Sequence, residues 1–575
     1  MGKLVSSSIP NLISGVSQQP WNVRLPTQGE EQVNCFSSVT DFLKRRPAMN
    51  AVARLMEAEE ADALGASIFL HPINRDEREK YIVLVHKGGI RVFDLEGKEK
   101  TVKVDASAKA YLAQAEDPMK DFRAQTINDY TFIVNRRVTV KADEESLTPK
   151  RPPEALVFIK QASYNTTYTV TLGEGEGAVT ASFTTLDGVA PADEPADKLS
   201  SKEIADELTA AINADGKYTA QAVNSTIWIR TKDGSDFKIA VADTRSNTHT
   251  SLCKGTTQRF SDLLTAAPRD FVTEVIGDAS SSFDNYYVRF EPSDEQSDFG
   301  TGLWKETVKP GIPSKLDAST MPHGLIRQAD GTFTFGPLEW DERSCGDEDS
   351  APLPSFVDRK INGIFFYRNR LAFLAEDNVV MSETGEFFNF FVTTVTTLVD
   401  SDVIDVAASN IKSSLLQHAA VFSGGIILFS DQSQFTLEHD TVLSNATVSI
   451  KPVTEFEADM SAAPVSAGKT VFFATRRGEW GGVREYLTLP DNSDQNDAAD
   501  VTAHVPRYIS GDIHRLICST NEDVLLVFSR LKRDSIWLYK YYWNGSEKIQ
   551  SAWSRWDMAG TVLSGAMFES RLYCV

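Results

Sequence analysis

Long apolar runs are missing from this chain. No stretch approaches the roughly 18 consecutive apolar residues of a membrane helix. The run Ile426, Ile427, Leu428, Phe429 is far too short. The first residues carry no apolar h-region, so no secretory signal is expected. Cysteine is sparse: Cys35, Cys253, Cys345, Cys518 and Cys574 are scattered, odd in number and never in a CxxC pair. That spacing suits neither a zinc site nor a disulfide framework, and fits free thiols of a reducing cytoplasm. Basic residues are outnumbered, 58 Lys and Arg against 80 Asp and Glu, for a net charge of −22. A surface of that sign repels nucleic acid in general, which argues against a DNA binder. It would suit a wall that DNA must slide past, although solubility alone also accounts for the charge.

What is abundant is the short apolar strand. Residues 361–391, INGIFFYRNRLAFLAEDNVVMSETGEFFNFF, organise the reading. Ile361, Ile364, Phe365, Phe366 and Tyr367 form one strand, and Arg368-Asn369-Arg370 reads as a polar turn. Leu371 to Leu374 return, and a third strand follows from Val379 to Ser382. The unit recurs around 79–94, 128–140, 424–437, 468–478 and 522–539. From residue 360 onward the units come roughly 40–60 residues apart, near the period of propeller blades. The spacing predicts a mostly β chain, a β-propeller of repeated strand-turn-strand units. Hairpins of a large β-sandwich would leave a similar trace.

The chain is 575 residues long, enough for two or three domains. Residues 1–50 hold Pro10, Pro20, Pro26 and Pro47, the polar Gln18, Gln19 and Gln28, and the lone Trp21. Proline keeps such a backbone extended, so this reads as an arm lying on another surface. Lys44-Arg45-Arg46 is a solvated turn or a subunit contact rather than a nucleic-acid patch. Residues 51–154 carry the first propeller units and end in a polar, proline-bearing linker. Residues 155–268 read as an inserted α+β domain with proline-marked ends. Its helix spans Ser200 to Ala214, with Ile204, Leu208, Ala211 and Ile212 on one face, a serine N-cap and Asp215-Gly216 as stop. Residues 269–360 are a β-rich connection, and 361–575 the second run of blades.

Chemistry is hard to find. Gly173 to Gly177 alternates glycine with glutamate but has neither GxGxxG spacing nor a P-loop lysine, so it reads as a hairpin tip. Asp491, Asp494 and Asp497 lack the glycine and terminal glutamate of an EF-hand loop. There is no His-Glu-x-x-His and no GxSxG elbow. His71, His86, His323, His418 and His504 stand apart. No cofactor and no catalytic or metal-binding residue is predicted. Carboxylates are plentiful, but a glycosidase pair is selected by separation, not by sequence.

Several stretches, in order, carry a resemblance. They are 11–20 (NLISGVSQQP), Arg24-Leu25-Pro26, Gln32-Val33-Asn34 and Leu43 to Pro47. The series continues through 71–77 (HPINRDE), 89–95, 129–136, 275–279, Met321-Pro322-His323, Ser344 to Asp347, 365–371 and 500–506. Together they resemble tail tubular protein B, the nozzle family of short-tailed phages, over most of the chain and least in the inserted region.

That resemblance implies a structural subunit of the virion tail, assembled in the host cytoplasm. It implies a homo-hexameric ring below a dodecameric tail adaptor, contact with tail fibres, and passage of double-stranded DNA. It implies a propeller with added domains, and subunit or adaptor contacts for the arm at Gln18, Gln19, Trp21, Arg24, Lys44, Arg45 and Arg46. Family members continue beyond Arg571 to Val575, so a further segment is expected to complete the last blade. Two other classes stay open: a tail-associated glycan hydrolase, with two carboxylates across a cleft, and a plain propeller binding module.

Overall fold

Alternating apolar residues between glycine, asparagine and aspartate turns build a chain made mainly of short antiparallel strands. The structure, a computed structural model, describes residues 11–65, 67–188, 199–277, 285–408, 415–422, 425–488, 496–545 and 547–575. Asp491, Asp494, Gly424 and the first ten residues of the arm lie outside them.

Seven sheets follow one another. The first holds Phe69–Asn74, Lys80–His86, Gly89–Asp94 and Glu99–Lys100. The second is assembled from distant pieces: Phe122–Ile127 and Tyr130–Asn135, then His323–Arg327 and Phe333–Gly336, with Val102–Val104 parallel on its edge. Four-strand meanders then start at Ile361–Tyr367, His418–Phe422, Val465–Ala467 and Ile513–Ser519. The hairpin Gly565–Phe568 and Arg571–Cys574 is the seventh. The first strands of successive sheets are neighbours in chain order, and the hairpin lies beside both the sixth sheet and the first.

Each consecutive pair encloses its own apolar layer. Val83 and Val92 meet Ile133 and Phe335 between the first two sheets. Leu374 and Met381 meet Leu428 and Leu437 between the third and fourth. Phe429 packs on Phe473 between the fourth and fifth, and Phe472 on Tyr539 between the fifth and sixth. Each such side chain, fully buried, contributes about 1.5–3 kcal/mol.

The split second sheet is locked where its halves meet. His323 pairs with Ile133 and stacks on Tyr111, ring centres 3.9 Å apart. The Tyr111 hydroxyl accepts from Asn135 N at 2.7 Å, and Asn135 Nδ2 donates to Tyr111 O at 2.7 Å. Those bonds satisfy buried polar groups where the chain departs on a long excursion.

That excursion contains the helix Ser201–Ala214. Ser200 Oγ accepts from Glu203 N at 3.0 Å, as an N-cap does. Ile204, Leu208 and Ile212 are fully buried against Val157, Ile159, Val170 and Ile227. Beneath it lie a four-stranded sheet (Tyr218–Val223, Thr226–Thr231, Glu154–Ile159, Thr250–Cys253) and a three-stranded one (Val179–Thr184, Thr167–Leu172, Ile239–Asp243). Gly175–Gly177 is a single 3-10 turn joining two of these strands. A further five-stranded sheet takes strands from both sides of Pro268, Thr256–Thr257 and Ala266–Pro268 joining Val272–Val275, Tyr286–Pro292 and Phe299–Thr307.

One element of the organising stretch differs from its expectation. The turn is Arg368-Asn369, both with positive φ, and Arg370 opens the return strand Arg370–Ala375. Its side chain is 1% exposed. Four carbonyl groups, of Ser382, Asp400, Asp402 and Leu443, draw the guanidinium inward.

Candidate functional site: the N-terminal arm on the sixth sheet

The arm is bound to the last strand of the sixth sheet, Glu547–Asp557. Val16 N donates to Trp553 O at 3.0 Å, Asn34 N to Arg555 O at 2.7 Å, and Arg555 N to Gln32 O at 3.0 Å. Val33 makes a parallel bridge to Arg555. An exposed edge strand would be a template for unwanted pairing, and the arm occupies part of it. Val16 is completely buried in the same cluster as Val505 and Trp553. Gly15 is required here. Its φ is +75° and a Cβ would fall 2.4 Å from Trp553 N. The hairpin Cys35–Ser38 and Phe42–Arg45 continues the contact, Cys35 O accepting from Trp556 Nε1 at 2.9 Å and Ser554 Oγ at 3.2 Å.

The residues predicted as contacts fall in two places. Gln18, Gln19, Trp21 and Arg24 share one turn. Gln18 is committed to its own chain: its N–H donates to His504 O at 2.9 Å and its Oε1 accepts from Arg507 N at 2.8 Å. Arg24 is held between Glu30 at 3.1 Å and Gln19 O at 3.0 Å. Between these anchors Trp21 is 85% exposed, and Val23 and Leu25 are exposed beside it. Lys44, Arg45 and Arg46 lie on or beside the hairpin's return strand. Lys44 pairs with Asp41 at 2.6 Å, Arg46 Nε donates to Asn34 Oδ1 at 2.8 Å, and Arg45 is exposed. The result is a loop anchored on both sides that presents an indole and two aliphatic side chains to solvent. Tryptophan anchors of this kind dominate protein interfaces.

Among the described residues, no group of three or more His, Cys, Asp or Glu could hold a metal ion. A small cavity beside the hairpin is lined by Leu70, His71, Pro72, Ile82, Tyr573 and Val575, among others. Sequence reading missed the burial of Arg370, because neighbours in sequence say nothing of what faces it.

Comparison with known proteins decides the family. The family described as bacteriophage nozzle protein matches residues 2–575. The tail tubular protein gp12 of Escherichia phage T7 is 35% identical over 583 residues, which span all of this chain and 71% of that protein. The chain belongs to the bacteriophage nozzle protein family. It is therefore a structural nozzle subunit of the phage tail. Among solved structures, a protein from Lactobacillus plantarum covers 55% of this nozzle chain and 92% of its own, with TM-score 0.24 and 12% identity. The WD40 domain of Toxoplasma gondii coronin covers 50% and 70%, with TM-score 0.27 and 11% identity. Likeness at those scores carries no argument.

Proposed function

We propose that this nozzle subunit works in a ring of six copies. The ring sits below a dodecameric adaptor, carries tail fibres, and conducts double-stranded DNA through a lumen between subunits. The carrying observation is the anchored turn with Trp21, Val23 and Leu25 turned to solvent. Such a surface gains from burial against a neighbour, about 25 cal/mol per Å² of apolar area. Gln18, Gln19, Trp21, Arg24, Lys44, Arg45 and Arg46 are then the subunit or adaptor contacts.

In this reading the seven successive sheets are propeller blades, the second closed by two distant chain segments. The units are the arm 1–50, blades in 51–154 and 361–575, an inserted α+β domain over 155–268, and a connection over 269–360. A duplex is too thick for the centre of one small ring of sheets, so the DNA path lies between subunits. With one phosphate per roughly 1.7 Å of axis, a basic wall would hold the duplex and an acidic one lets it slide. The net charge of −22 supports a lumen lined by Asp, Glu and neutral polar residues. The protein performs no catalysis.

Electron microscopy of the purified full chain tests the assembly. Sixfold rings are expected, and a W21S/V23S/L25S variant should remain monomeric. Rings that form with Trp21 still facing solvent would sink this role for the arm.

A further inference from the structure

A ring of identical copies closes by head-to-tail contact, in which one surface of each copy meets a different surface of the next. The turn with Trp21 supplies one such surface. Its counterpart must be exposed, apolar and elsewhere on the chain. The third and fourth sheets carry a patch of that kind. Leu398 is 91% exposed, Val442 48% and Val399 37%. Leu398 and Val399 lie in the loop 392–403, and Val442 in the turn that joins Gln434–Glu438 to Ser449–Thr454. One nitrogen brings the two segments together. Arg370 Nη2 donates to Asp400 O at 2.9 Å and to Leu443 O at 3.4 Å, so the residues next to Val399 and Val442 lie within reach of the same guanidinium.

The loop is tied down on both shoulders. Thr393 N and Oγ1 donate to Asp402 Oδ1 at 3.2 and 2.8 Å. Glu306, on the excursion's strand Phe299–Thr307, accepts from Thr394 Oγ1 at 2.6 Å and from Val395 N at 2.8 Å. Val395 sits so close to Gly346 that a Cβ there would fall 3.0 Å from Val395 Cγ1. Arg370 holds the far shoulder through the carbonyls of Asp400 and Asp402. A tip held in this way has little ordering entropy left to lose when a partner covers it. Charge selects the partner. Asp400 and Asp440 are exposed beside the patch, and Arg368 donates to Thr441 O at 3.3 Å. On a chain of net charge −22, two copies repel unless one face of their contact is not acidic. The arm turn meets that condition. Arg24 is paired with Glu30 at 3.1 Å. Arg507, whose N–H donates to Gln18 Oε1 at 2.8 Å, keeps an exposed guanidinium with no partner among the described residues.

We propose that Leu398, Val399 and Val442 receive the Trp21 turn of a neighbouring copy of this chain. The indole, with Val23 and Leu25 beside it, packs on the three aliphatic side chains, and Arg507 faces Asp400 and Asp440. The turn is bonded to the sixth sheet and the patch belongs to the third and fourth, so one copy offers both surfaces at once and the contact repeats head to tail. This inference rests on the proposed role of the arm turn as a subunit contact, and adds the surface on which it docks.

Two variants of the full chain, W21S/V23S/L25S and L398S/V442S, test it against wild type by sedimentation velocity and electron microscopy. The substituted side chains are all exposed, so both variants should unfold in urea as wild type does. Each should need at least a tenfold higher concentration to form rings. Mixed one to one, they should give a dimer that grows no further, because one copy keeps the patch and the other keeps the turn. Should L398S/V442S fail to fold, a photoreactive benzoylphenylalanine in place of Leu398 reads the same contact. In rings of isotope-labelled and unlabelled copies it should cross-link to residues 20–25 of another copy. Rings that survive W21S/V23S/L25S sink the arm's role and this pairing with it. Rings lost in that variant but kept in L398S/V442S leave the arm's role standing and overturn only the patch. A mixture that stays monomeric, or a cross-link that lands outside the arm turn, overturns the patch as well.

Discussion

Arg370 Nη1 donates to the carbonyl of Asp402 at 2.6 Å, thirty-two residues further along the chain. The same guanidinium serves Ser382 O at 2.7 Å, Asp400 O at 2.9 Å and Leu443 O at 3.4 Å. It ties the third sheet to the loop 392–403 and to the turn before Ser449–Thr454. Arg370→Ala would strand several carbonyls in a dry setting. The expected loss is about 3–5 kcal/mol, since each buried group left unsatisfied costs roughly 1–3 kcal/mol and the loop relaxes in part. Urea unfolding measures it. A loss below about 1 kcal/mol would mean water replaces the guanidinium freely.

Glu485, 1% exposed, forms an ion pair with Lys548 across the interface of the fifth and sixth sheets. Lys548→Met leaves a buried carboxylate alone and should destabilise by about 3–5 kcal/mol. The double variant Glu485→Leu with Lys548→Met should recover most of that loss. A double variant as unstable as the single one would show that packing, not charge, decides this position.

Acid should weaken the fold through the half-buried His71 and the buried His514. Burial and the nearby Arg515 push His71 down to about 3, and burial pushes His514 to about 4. An unfolded histidine titrates near 6.5. Between those values the unfolded chain binds more protons than the folded one, so stability falls as pH falls. The fall begins near pH 6.5 and continues to about 4 for His514 and about 3 for His71, at up to roughly 1.4 kcal/mol per pH unit for each histidine. His514→Gln should flatten the slope between pH 6.5 and 4.5 in urea unfolding. An unchanged slope would assign the acid sensitivity elsewhere.

Gly15→Ala should detach the arm. The new Cβ meets Trp553 N, and the positive φ adds strain of about 1–3 kcal/mol. Limited proteolysis should then cut within residues 11–34 while the sheets stay intact. Wild-type resistance in the variant would show that the arm holds without this contact.

Leu208→Ala tests the helix of the excursion. Its side chain is fully buried, so a loss of about 2–5 kcal/mol is expected, against about 1 kcal/mol for Ser200→Ala at the N-cap. Equal effects from the two would contradict the burial.

Much of this was determined by the sequence alone. Alternating apolar residues and their turns marked strands at 361–391 and 522–539, because period two is a local property of the pleat. Ile204, Leu208 and Ile212 with a serine cap marked the helix, because spacing and capping are local too. Ordered motifs from 11–20 to 500–506 pointed to the nozzle family. Tertiary structure decided the rest. It made Arg370 a buried strut instead of a turn residue, since the carbonyls that hold it lie 12 to 73 residues away. It joined Ile133 to His323 in one sheet, and seated Gly15 against Trp553. Charge and hydrogen bonding act through distance in space, and only the packed chain sets which distant residues become neighbours.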